Sequence, residues 1–108
     1  MGYIKHHAIA ISSFDKKRID KVHAYALELF PTLTTPLMSS IVNNIETFFV
    51  APDGSNEDCP DSDEHDDKRF LFIKYIESLA HSDGSNNVKY CEFYFAEDEG
   101  RSEIMNHN

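Results

Sequence analysis

The chain reads as an α+β domain of ferredoxin-like order, β-α-β-β-α-β with an extra C-terminal strand, whose antiparallel-dominated sheet carries two helices on one face. Three observations predict it. Two segments have apolar residues at helical spacing, and each falls between β-prone runs. An Asn43-Asn44 pair separates the middle two runs as a hairpin would. A final hairpin pattern closes the chain, giving the split βαβ arrangement plus one strand. At 108 residues a single domain, 1–108, is expected, large enough to bury roughly two-thirds of its unfolded surface.

The first run, Tyr3 to Ile11, alternates Ile4, His6, Ala8 and Ala10 on one face with Tyr3, Lys5, His7, Ile9 and Ile11 on the other, as a central strand would. Ser12, Ser13 and Asp15 then offer N-cap oxygens. Ile19, Val22, Ala26, Leu29 and Phe30 recur at helical spacing until Pro31, predicting a helix over 14–30. Leu37 to Val42 and Ile45 to Ala51 are β-prone, and asparagine tolerates the positive φ of a tight turn between them. From Pro52 to Asp67 the composition shifts to eight carboxylates with no lysine or arginine, a long irregular segment. Asp61 or Ser62 can cap a second helix with an acidic first turn, continued by Phe70, Ile73, Ile76, Glu77 and Ala80 to about His81. Val88 to Ala96 is a strand, and a four- or five-residue loop leads to a last one around Ser102 to Met105. The first and third strands are expected to run parallel in mid-sheet.

Composition narrows the function classes. Net charge is −9 with neutral histidines, which argues against direct nucleic-acid binding, since phosphate backbones call for a basic face. Cys59 and Cys91 have no CxxC spacing, so neither a zinc knuckle nor a disulfide framework is supported. The opening MGYIKHHAIAIS resembles neither a leader nor a span, and a cytoplasmic protein without membrane contact is expected.

Parallel first and third strands would bring His6, His7, Ser12 and Ser13 near Asp53, Gly54 and Ser55 as a ligand-binding end, with helix N-termini and loop amides to hold a phosphate or carboxylate. Against this, Pro-Asp-Gly-Ser is an ordinary turn sequence, serines are ordinary caps, and the surrounding acids repel anions. Glu57, Asp58, Asp61, Asp63 and Glu64 form a candidate partner-binding acidic segment. Its spacing fits no EF-hand loop, and no metal or other cofactor is expected. His6 and His7 are strand neighbours and point to opposite faces, so they cannot share an ion within one copy. Catalytic residues are not apparent: no G-x-S-x-G elbow occurs, and Cys59 lies among acids that raise a thiol pKa.

The strings MGYIKHHAIAISS, FFVAPDGS and SDEHDD, with Asp-Gly-Ser at 83–85, resemble a group of small accessory proteins encoded by tailed bacteriophages and prophages, over most of the chain. In that group APDGS continues with a glycine and a tryptophan. Here Asn56-Glu57-Asp58-Cys59 follows, and the chain has no tryptophan. The resemblance implies a context and no catalytic residues. That context is a phage accessory binding protein that counters host defence in the host cytoplasm, by sequestering a small nucleotide-like signal or occupying a host defence protein. The competing expectations are a metal-assisted phosphoesterase using His6 or His7 with Asp53 and Asp61, and a virion structural protein. An open sheet face also makes a homo-oligomer an expectation.

Overall fold

The computed structural model describes the backbone of residues 5–52, 60–96 and 101–108. Seven elements follow one another: β1 (Lys5–Ser13), α1 (Lys16–Leu29), β2 (Met38–Ser39), β3 (Glu46–Val50), α2 (Pro60–Ser78), β4 (Val88–Ala96) and β5 (Arg101–His107). The sheet order is β2-β3-β1-β4-β5, the split arrangement expected with one strand added at an edge. Every strand pairing is antiparallel.

One expectation is overturned here. β3 runs antiparallel to β1, with Ile9 opposite Val50 and Ser13 opposite Glu46. The reason is topological: the α1 crossover returns the chain parallel to β1, and the hairpin then reverses it once, so the third strand must oppose the first.

α1 begins where Asp15, in an extended conformation, accepts a hydrogen bond from the Arg18 backbone N–H. That bond holds the Asp15 carboxyl below its usual range. The helix stops before Pro31, and the Thr34 hydroxyl is shared between the carbonyls of Ala26 and Phe30 at 3.1 and 2.8 Å, adding to the backbone N–H bonds that these two carbonyls already accept. Residues 33–35 then run along β3, with Thr35 N–H donating to Phe49 O and Ala51 N–H to Leu33 O, both at 2.9 Å.

The β2–β3 connection is wider than the two-residue turn expected. Asn43 and Asn44 both take positive φ, 68° and 52°, but the ladder closes only where Ser40 N–H donates to Ile45 O at 2.7 Å. The Ser40 hydroxyl accepts from Ile45 N–H and donates to the Val42 carbonyl inside that loop. β2 is accordingly two residues long.

α2 starts at Pro60, so the second half of the acidic segment is helical, not irregular. Proline suits a first helical position because its missing N–H has no partner there. The inward stripe is Arg69, Phe72, Ile73 and Ile76; Ile73 and Ile76 are buried as expected from the sequence, but Phe72 takes the aromatic place expected of Phe70. Phe70 faces outward. The helix ends at Ser78 rather than near His81, with Leu79 and Ala80 making tight bonds to the carbonyls of Ile76 and Glu77.

The core lies between the helices and one sheet face. Ile9 and Ile11 of β1, Phe48 and Val50 of β3, and Val88 and Tyr90 of β4 meet Ile19, Val22 and Ala26 of α1 and the α2 stripe. The Phe72 ring is its hub, lying 6.3 Å from Tyr25 and 6.4 Å from both Phe30 and Phe48, centroid to centroid. Burying a phenylalanine of this kind contributes roughly 1.5–3 kcal/mol. Among the described residues no helix is long and apolar enough to cross a membrane.

Candidate functional site

The antiparallel β1–β3 pairing puts Ser12 and Ser13 at one end of the pair and the last residues of β3 at the other. Ser12 and Ser13 lie opposite Thr47 and Glu46, whereas Ala51 and Pro52 continue β3 past Val50 toward the other end of β1. Four strand residues at about 3.3 Å each place roughly 13 Å between them. Asp53, Gly54 and Ser55 lie outside the described residues. Both serines have structural work. The Ser12 hydroxyl is 2.7 Å from that of Thr47. Ser13 is buried, donating to Asn87 O at 2.8 Å and accepting from Asp15 N–H at 3.0 Å.

His6 and His7 point to opposite faces, as their spacing requires. His7 lies on the helix side, its ring 5.7 Å from that of Tyr94. Of the acidic partner segment, Glu57 and Asp58 lie outside the described residues, and Asp61 and Asp63 are placed on α2 by backbone alone. Glu64 is exposed and pairs with Lys68 one turn on, at 3.3 Å.

A concave feature of the described residues lies elsewhere, between α2 and the β4–β5 edge. It is a cleft of about 360 Å³ whose lining includes His7, Arg69, Phe70, Lys74, Glu92 and Asn106. Three local decisions of the chain build it. Arg69 continues the buried α2 stripe one turn before Ile73, so its guanidinium goes inward. Glu92 alternates with Tyr90 and Tyr94 on the helix side of β4, so its carboxylate goes inward too. A bulge between Glu92 and Phe93 lets β5 oppose Phe93 with Ile104 and Glu92 with Asn106. Met105 is the extra residue and lines the cleft.

The polar floor is held rigidly. Arg69 and Glu92 are both buried, with Nε 3.9 Å from the Glu92 carboxylate, and Nη2 of Arg69 donates to Asp66. Asn106 Nδ2 donates to the other Glu92 oxygen at 2.7 Å. A buried charge needs such partners, because desolvating it alone costs several kcal/mol. At the C-terminal end of the cleft Glu77 accepts from the Tyr90 hydroxyl at 3.0 Å. Burial first, and this carboxylate second, push the phenol up to about 12. On the rim Phe70 is 62% exposed, with Lys74 Nζ 5.4 Å from its ring centroid.

Comparison with protein-family models, curated proteins and solved structures gives no match. The function is therefore argued from these side chains. The cleft's described lining offers donors, acceptors, both signs of charge and an exposed aromatic, but no serine, threonine or cysteine nucleophile. Sequence reasoning overlooked the cleft although one signal was present: an acid at 92, in phase with Tyr90 and Tyr94, calls for a buried cation, and Arg69 is in phase with the inward side of α2.

Proposed function

We propose that this chain is a non-enzymatic binding protein of the phage accessory kind, which acts in the host cytoplasm by holding a small nucleotide-like signal in the cleft between α2 and β5. The observation that carries the reading is the preformed polar floor, in which buried Arg69 is fixed by Asp66 and Glu92 beside the exposed ring of Phe70. Pockets of about 300–1,000 Å³ with few, well-placed polar groups suit ligands of that size. Phe70 offers a stacking face for a base, and Asn106 and Glu92 offer hydrogen bonds to its edge. Lys74 on the rim is the exposed cation available to a phosphate.

Calorimetric titration with a panel of mononucleotides and cyclic dinucleotides tests it. Binding by wild type, weakened about fivefold or more in Phe70→Ala, is the expected result, since a stacked base is worth about 1–3 kcal/mol. A ligand recovered unaltered fits sequestration. Turnover of the ligand favours the phosphoesterase reading, and the absence of binding across the panel overturns the cleft assignment.

A second reading, occupation of a host defence protein, is favoured by the exposed Glu64, Asp66 and Asp67 on the first turns of α2. Salt separates the two. Capture of a basic partner by an exposed acidic surface weakens steeply with ionic strength, while a ligand partly shielded within the cleft is less affected.

A further inference from the structure

We infer that the uncovered face of the sheet is a self-association surface occupied by a second copy of this chain. The helices cover one face only, and the pleat sends alternate residues of every strand to the other. On that face Phe49, Ala10 and Cys91 form one row across β3, β1 and β4. Ala8, Phe93 and Ile104 form the next across β1, β4 and β5.

Charge identifies the occupant. The chain carries 19 carboxylates, and the five strands hold three of them, Glu46, Glu92 and Glu103. All three lie on the helix side, since Glu46 is opposite Ser13, Glu92 opposite Ile9, and Glu103 accepts from the Tyr94 hydroxyl at 3.0 Å. The uncovered face therefore carries no strand carboxylate. Two copies of a protein with a charge of −9 repel wherever acids meet, and this face lets them approach without that cost.

Shape agrees with an isologous contact. The small side chains of Ala8, Ala10 and Ser12 make a shallow groove along β1. Phe49 stands on one side of it, and Phe93 and Ile104 on the other. Phe49 is 38% and Ile104 65% exposed. A twofold axis over the groove lays the ridge of each copy into the groove of the other, which a surface must do to be self-complementary. The five strands, 32 residues in all at about 3.3 Å each and about 4.8 Å apart, offer ~500 Å² per copy, the size of a weak or transient dimer contact.

The test is sedimentation of the full chain from ~1 to ~100 μM, which brackets weak and moderate affinities. The expected result is a species of twice the mass of one copy, returned to a single copy by Phe49→Asp with an unchanged circular dichroism spectrum. Should Phe49→Asp fail to fold, Ile104→Glu on the edge strand gives the same readout at a more exposed position. A wild type that stays at one copy across the range overturns the inference. So does a dimer that survives both substitutions, because its contact then lies on another surface.

Discussion

Arg69 and Glu92 lie in the cleft floor and bear on stability as well as on recognition. Both are buried, and Glu92 is held from two sides, by Arg69 and by Asn106. Arg69→Met strands that carboxylate and is expected to cost about 3–5 kcal/mol, read as a lower urea midpoint, whereas Arg69→Met with Glu92→Leu recovers most of the loss. Tyr90 gives a pH signature. Its phenol titrates at about 12 in the folded chain and near 10 when unfolded, so the folded state favours the protonated form. The stability this residue supplies is intact below about pH 10 and is lost as pH rises toward about 12. Urea midpoints across that window are expected to fall more steeply for wild type than for Tyr90→Phe. Equal slopes would show that burial and the Glu77 contact together give Tyr90 no such role. Residues of this kind were the least legible in the sequence: an acid within a β-prone run and an arginine within an acidic helix reveal their pairing only when two elements meet.

Elements were read more easily than side chains. The β4 limits agree with the expected Val88–Ala96, and the Ile19, Val22 and Ala26 stripe of α1 is buried as expected, because long periodic segments state their own period. Strand direction needs the whole connection to be followed, and there the parallel expectation failed, so that Ser12 and the last residues of β3 lie at opposite ends of the β1–β3 pair. On α2 the Ile73 and Ile76 stripe is buried as expected, while its aromatic member is Phe72 and not Phe70. Both look like core residues, and only the buried Arg69 shows which of them is. One residue ties two elements together. Asn86 is buried, donates to the carbonyl of Ile76 at 2.8 Å near the end of α2, and accepts from Val88 N–H at 3.0 Å where β4 begins. Asn86→Ala leaves both backbone groups without that partner and is expected to destabilise by about 2 kcal/mol, measured by thermal or urea unfolding. A loss below about 0.5 kcal/mol would mean that water replaces the amide.

At the scale of the molecule the two sheet faces divide the labour. One carries the core, the cleft and the strand carboxylates, and the other carries Phe49, Phe93 and Ile104 beside a polar row of Thr47, Ser12 and Lys89, with no strand carboxylate. The molecule measures 45 × 27 × 27 Å, with a Cα radius of gyration of 14.4 Å, above the roughly 13 Å of a compact 100-residue domain. That value is the single-copy benchmark for the association inferred above. The acidic balance, plain in the composition, says where copies can meet only after the pleat has sorted the strand residues by face.

The loop at 41–44 has a practical consequence. Ile41 is fully exposed and Val42 largely so, and the turn is closed by Ser40 and Ile45 from below. It sits at the β2–β3 edge, with β1 between it and the β4–β5 edge that holds the cleft. Loop tips held from beneath in this way accept foreign sequence well. An affinity tag or fluorescent reporter spliced between Asn43 and Asn44 would leave the cleft untouched, making this hairpin a handle for immobilising the protein while its ligand is sought.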